Sequence, residues 1–179
     1  MYEYLDRRYA LALYEVAEKE DKVEEYLEDL KAIIKLTKDN TEVLEIIKHP
    51  QIPTPKKIQI FRNIFEGRID DKLLNFIIVL LKKDRLLFIE EKYREMVKIY
   101  LEKHNTIVAY VKTVVRLDSN QRKMLIEKLE KKYNKMVILR EEIDKTLIAG
   151  VLLRVGDDVI DNTIKLKFQD IREKIVDLY

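Results

Sequence analysis

"DKTLIAGVLLRVGDDVIDNTI", Asp144 to Ile164, holds two glycines, a run of aliphatic residues and four aspartates. Gly150 and Gly156 are six residues apart and match neither G-x-G-x-x-G nor G-x-x-x-x-G-K-[ST], so no phosphate-cradling loop is written here. A glycine within a strand marks a bulge or a close backbone approach, and Gly156 before "DD" suits a tight turn. The aspartates Asp144, Asp157, Asp158 and Asp161 lack the spacing and distal glutamate of a calcium loop. Asp157 and Asp158 suit the turn, and Asp161 can accept from the free N–H groups that open a last helix. Asp144, Gly150, Gly156 and Asp161 therefore read as structural turn and cap residues.

Working outward, "MVILREEI" (136–143) and "TLIAGVLLRV" (146–155) are β-branched strands on either side of a short "DK" turn. Before them "TIVAYVKTVVRL" (106–117) is another strand. "DSNQRKMLIEKLEKKYNK" (118–135) is a helix capped by Asp118 or Ser119, with Leu125, Leu129 and Tyr133 on one face. After "GDD" and a brief apolar step, the last helix carries the stripe Ile164, Phe168, Ile171, Ile175 and Leu178. The order is β-α-β-β-α.

Upstream of about Asn105 the pattern is helix after helix. The first places Leu5, Tyr9, Ala12, Leu13 and Val16 along one face; the second places Val23, Tyr26, Leu27, Leu30, Ile33 and Ile34. Thr41 is expected to cap a short helix ending before Pro50. Thr54 is expected to cap another, with Pro55 at its first position and Gly67 at its end. Helices near Asp71–Lys83 and Leu87–Lys103 complete the set. The expected fold is mainly α with a small α/β part: a bundle of about six helices over 1–105, then the β-α-β-β-α domain over 106–179.

Composition limits the function classes. The chain has 179 residues, 35 basic and 33 acidic, for a net charge of +2, and that balance argues against a dedicated nucleic-acid binder. Residues 106–179 carry +3 (15 basic, 12 acidic), which supports an RNA-binding alternative only weakly, because Tyr110 is the single aromatic on the expected strands. Cysteine is absent, which excludes disulfides and thiolate metal sites. The opening "MYEYLDRRYALALYEVAEKE" mixes charge with apolar residues and does not read as a signal peptide. The two histidines, His49 and His104, flank helix ends and sit in no H-E-x-x-H pattern. No catalytic residue, metal ligand or cofactor is expected, and the chain reads as a non-enzyme.

The positive signal is apolar surplus. "LLNFIIVLL" (73–81) is hydrophobic nearly all round yet far too short to span a bilayer, which needs about 20 residues. Asn75 and Lys82 mark its wet edge, flanked by Ile78 and Val79. On the first helix Ala10, Tyr14 and Ala17 widen the apolar face. Two readings fit: a thick core, or a groove for an amphipathic partner helix. The groove would comprise Tyr9, Ala10, Leu13, Tyr14 and Ala17 with Asn75, Ile78, Val79 and Lys82.

"EIDKTLIAGVLLRVGDDVIDNTIKLKFQDI" (142–171) resembles the C-terminal signature of the δ-subunit family of F-type ATP synthases, which includes the mitochondrial oligomycin-sensitivity-conferring protein. "RRYALALYEVA" (7–17) resembles the family's Arg-x-Tyr-Ala-x-Ala-Leu opening. "HPQIPTPKK" (49–57) and "LLKKDRLLFIEEKY" (80–93) fall where the family has its Pro-Lys and Leu-x-x-x-x-Arg segments. One departure is Asp161-Asn162-Thr163, where many members read Asp-Gly-Ser. The resemblance covers the whole chain. It implies an N-terminal domain holding the N-terminal helices of α subunits and a C-terminal domain meeting the C-terminal ends of b subunits. It also implies one copy per complex, no nucleic acid, and a stator role on the cytoplasmic face of a bacterial membrane, reached only through the complex. An unrelated helical adaptor would leave the C-terminal signature unexplained.

Overall fold

The computed structural model describes residues 2–164, 166 and 168. The chain divides into two compact units, Met1–Tyr100 and Leu101–Tyr179.

The first unit is helical: α1 Tyr2–Lys19, α2 Val23–Asp39, α3 Thr41–Lys48, α4 Thr54–Phe65, α5 Asp71–Lys82, and α6 Ile89–Lys103, which begins after a 3-10 turn at Leu86–Phe88 and runs on past Tyr100. Its core is organised around α5, where Leu73, Leu74, Ile77, Ile78, Leu80 and Leu81 are all buried. Removing each such side chain from water stabilises the fold by about 1.5–3 kcal/mol, so α5 contributes more per residue than any amphipathic neighbour. Tyr26, Leu30 and Ile33 of α2 and Met96 and Ile99 of α6 belong to the same core.

Two helix starts differ from the sequence reading. Asn40, not Thr41, caps α3: its side chain accepts from the N–H groups of Glu42 and Val43 at 3.1 and 3.3 Å. At α4 the N-cap position is Pro53, with no side-chain cap bond, and Thr54 is already the first helical residue. Pro55 then lies in the first turn, where its missing N–H had no intrahelical partner to lose.

The second unit holds β1 Thr106–Thr113, α7 Ser119–Tyr133, β2 Met136–Ile143, β3 Val151–Val155 and β4 Asp158–Asp161. The sheet order is β2-β1-β3-β4. β1 pairs in parallel with β2, from Thr106↔Met136 to Thr113↔Ile143, which the intervening α7 makes possible. Its other edge pairs antiparallel with β3, from Ala109↔Val155 to Thr113↔Val151. β3 and β4 form a hairpin across Gly156 and Asp157. Alternate residues Ala109, Val111, Val137, Leu139, Leu153 and Val155 are buried together with Leu129 of α7, and Leu125 and Tyr133 pack at the margin. Asp118 caps α7 in a reciprocal capping box with Gln121, at 2.8 and 3.1 Å.

The "DK" segment is therefore not a hairpin between β2 and β3, which are not sheet neighbours. Lys145–Leu147 forms a 3-10 turn, and Ile148 then adopts φ 64°, ψ −59° while the Ala149 N–H donates to the Leu147 carbonyl at 2.7 Å. That is a γ-turn, and it delays the strand to Val151. The apolar step after "GDD" is a fourth strand. Of the last helix, Ile164, Leu166 and Phe168 are helical; Ile171, Ile175 and Leu178 lie outside the described residues. The fold is mainly α with a small α/β part.

Candidate docking site

Tyr9 stands where α1 meets α5. Its ring meets Phe76 edge-on, with centroids 6.5 Å apart and planes at 67°. The Arg85 guanidinium donates to Tyr9 Oη at 3.0 Å and lies 5.4 Å from the ring centroid. Lys92, only 2% exposed, donates to Asp6 Oδ1 at 2.7 Å and to the Phe88 carbonyl at 3.0 Å, with its ammonium 5.9 Å from the same ring. Tyr9 is thereby held by two cations and one aromatic edge, while its outer side stays half-buried. Leu5 and Val16 on α1 and Phe76 on α5 are half-buried as well.

Along α5, Asn75, Val79 and Lys82 are exposed, at spacings of four and three that put them on one face. Val79, 42% exposed, is the apolar residue of that line. The other groove candidates lie elsewhere. Ile78 is 5% exposed, and Ala10, Leu13, Tyr14 and Ala17 are between 0 and 3% exposed, so all five belong to the core and none faces solvent. The thick-core reading accounts for them; Val79 is exposed, while Tyr9, Phe76 and Val16 are half-buried against the core and Leu5 is half-buried. Phe76 escaped the sequence reading although it sits one turn from Val79, because a residue on the flank of a stripe is indistinguishable from its centre until the neighbouring helix is placed. Leu11 and Tyr4, 40% and 76% exposed, form a separate apolar line on α1.

In the second unit the turn residues converge. Gly150 has φ +100°, and a Cβ there would lie 2.3 Å from the Asn162 carbonyl oxygen and 2.7 Å from Thr163 Cα. Around it the Ile164 N–H donates to the Ala149 carbonyl at 3.0 Å and the Asn162 N–H to Val151 at 2.9 Å. Asp161 Oδ1 accepts from the Thr163 N–H at 2.8 Å, whereas Thr163 Oγ1 accepts from the Leu166 N–H at 3.3 Å. The residue that caps the helical residues after 163 is thus Thr163, and Asp161 forms an Asx turn one step earlier. Asp144 Oδ1 accepts from the Thr146 N–H and hydroxyl at 3.0 and 2.6 Å. Gly156, φ +60°, turns the β3–β4 hairpin in open space. Asp158 accepts from Tyr133 Oη at 2.9 Å and ties α7 to β4. Asp144, Asp158 and Asp161 each accept a hydrogen bond that fixes a turn or ties two elements together. Among the described residues no group of three or more His, Asp or Glu is placed to hold a metal ion, and no helix is long and apolar enough to cross a membrane.

Residues 5–175 match the model of the family described as ATP synthase delta (OSCP) subunit. The chain belongs to the ATP synthase delta (OSCP) subunit family. It is 55% identical over 176 residues to "ATP synthase subunit delta" of Clostridium botulinum strain 657, covering 98% of both chains. It is 57% identical over 173 residues to the protein of the same name from Clostridium perfringens strain SM101, covering 97% of both. In fold it resembles a chain of the Toxoplasma gondii mitochondrial ATP synthase hexamer, with TM-score 0.66 at 21% identity over 96% of this chain and 97% of that one. As a delta (OSCP) family member it is a non-catalytic subunit of ATP synthase.

Proposed function

We propose that this chain is a stator link that keeps the catalytic head of an ATP synthase from turning with the rotor. In this reading the first unit holds an N-terminal helix of an α subunit, and the second meets the C-terminal ends of the b subunits. The complex then sits on the cytoplasmic face of a bacterial membrane, with this chain attached through its partners and present once. The observation that carries the reading is the exposed apolar Val79 on α5. It lies on the most apolar helix of the bundle, one turn after Phe76, whose ring meets Tyr9 of α1. An amphipathic helix laid along that stretch would cover Val79 and the outer sides of Tyr9 and Phe76.

The test is titration of the full chain with a peptide copying the α subunit's N-terminal helix. Val79→Asp would force a carboxylate to be desolvated without a partner, and the expected loss is at least tenfold, about 1.4 kcal/mol. Helicity should not change, since position 79 faces solvent. Ile78 does not serve for this purpose, because a buried aspartate there would unfold the bundle. Unchanged affinity of the Val79 variant would place the partner helix on another face.

A further inference from the structure

We propose that the cavity beside Lys57 binds a carboxylate carried on a short apolar stem, in the class of free medium-chain monocarboxylic acids. The cavity has a volume of about 430 Å³ and is walled by Ile47, Ile52, Leu81, Leu86 and Leu87, with Lys57 in its lining. That volume falls in the lower part of the range of small-molecule sites, about 300–1,000 Å³.

Lys57 is the unusual member. It is 7% exposed, and its ammonium donates to the Ile47 carbonyl at 2.7 Å near the C-terminal end of α3. Among the described residues it has no carboxylate partner and no second hydrogen bond. An ammonium has three N–H donors and is costly to withdraw from water unless paired. A long lysine stem could carry the head to solvent along the same helix, as lysines beside apolar surface ordinarily do. The carbonyl, at the negative end of the α3 dipole, satisfies one donor and only part of the charge, so the site has two donors and much of a positive charge to spare. Lys48 and Asp84 also line the cavity, both exposed and opposite in sign, so Lys57 sets its net charge.

A carboxylate meets this arrangement: its two oxygens accept from the spare N–H groups, and a single negative charge balances the single buried cation. A dianionic phosphate would leave a charge uncompensated against aliphatic walls, and a neutral alcohol would leave the ammonium unpaired. The five aliphatic walls call for a stem of a few methylenes.

The probe is sodium octanoate titrated into the full chain with methyl-labelled isoleucine and leucine, with octanol and octylammonium as controls. Saturable shifts are expected at Ile47, Ile52, Leu81, Leu86 and Leu87, with a Kd of about 1 mM or tighter. Octanol should bind at least tenfold more weakly and octylammonium should not saturate. Lys57→Met should weaken octanoate binding at least tenfold. Because that change also removes the donor to the Ile47 carbonyl, Leu87→Glu is the second variant; it leaves Lys57 in place, sits at an exposed position, and should also weaken binding tenfold by like-charge repulsion. Absence of saturation in the wild-type chain, equal affinity for octanol and octanoate, or an unchanged Kd in the folded variants would each overturn the proposal.

Discussion

Tyr26 Oη donates a 2.6 Å hydrogen bond to Asp70 Oδ1, joining residues 44 positions apart. Asp70 also accepts from Lys22 Nζ and from the Lys72 N–H, each at 2.8 Å, so one carboxylate ties the α1–α2 corner to the start of α5. The bonds from Lys22 and Tyr26 hold the Asp70 carboxyl well below the usual carboxylate range. Burial, reinforced by the bond to Asp70, raises the Tyr26 hydroxyl above its ordinary value.

A pH plateau in stability is therefore expected. Asp70, with its folded pKa depressed, contributes fully above its unfolded value, about 3.9, and the contribution is lost as pH falls through the folded one. Tyr26, with its folded pKa raised, contributes fully below its unfolded value, about 10, and the contribution fades as pH climbs past it. Urea midpoints should be flat between and fall at both ends. Asp70→Ala removes a cap and leaves the Tyr26 hydroxyl only the long 3.5 Å contact to Glu20, at a cost of roughly 2–4 kcal/mol. Tyr26→Phe should cost roughly 1–3 kcal/mol and weaken the acid limb.

Gly150 and Gly156 should respond differently to alanine. At Gly150 the added Cβ meets backbone at 2.3 Å in a left-handed conformation, so the β3 entry or the 162–163 segment must move. A loss above about 4 kcal/mol is expected, with the β3–β4 amides shifting in an HSQC spectrum. Gly156→Ala meets no atom within 4 Å, and only the φ of +60° opposes it. About 1–2 kcal/mol is expected there. Similar losses at both sites would refute the close-approach account of Gly150.

The two polar side chains before the last helix can be ranked. Thr163→Ala should lower stability by about 1 kcal/mol through loss of the cap to the Leu166 N–H, and Thr163→Ser should largely restore it. Asp161→Asn retains an acceptor for the Thr163 N–H and should be milder than Asp161→Ala. A larger effect at Asp161→Asn than at Thr163→Ala, read by thermal melting, would return the capping role to Asp161.

Cleaving the chain near His104 separates the two units. Under the stator reading, membranes rebuilt with cleaved chain should hydrolyse ATP but lose most proton pumping, measured by quenching of a pH-sensitive dye. Full pumping with severed halves would mean that the connection bears no torque.

The change from helices to strands near residue 105 was legible because it depends on periodicity and β-branching, which are local. The capping box of Asp118 and Gln121 was half legible for the same reason: a cap reaches only three residues. What tertiary structure decided depends on distant partners. Ile78 and Val79 are adjacent and equally apolar, yet one is buried and the other exposed, because only the placement of the surrounding helices settles which side of α5 is covered. Likewise "TLIAGVLLRV" reads as one strand by composition, but the γ-turn at Ile148 and the contact of Gly150 with residues 162–163 shorten it. β1 takes the sheet's interior because pairing is chosen by edges that come together in space, and local sequence carries no record of that choice. Tyr26 read as one more apolar member of the α2 stripe; its bond to Asp70 exists only because folding brings together two residues 44 positions apart.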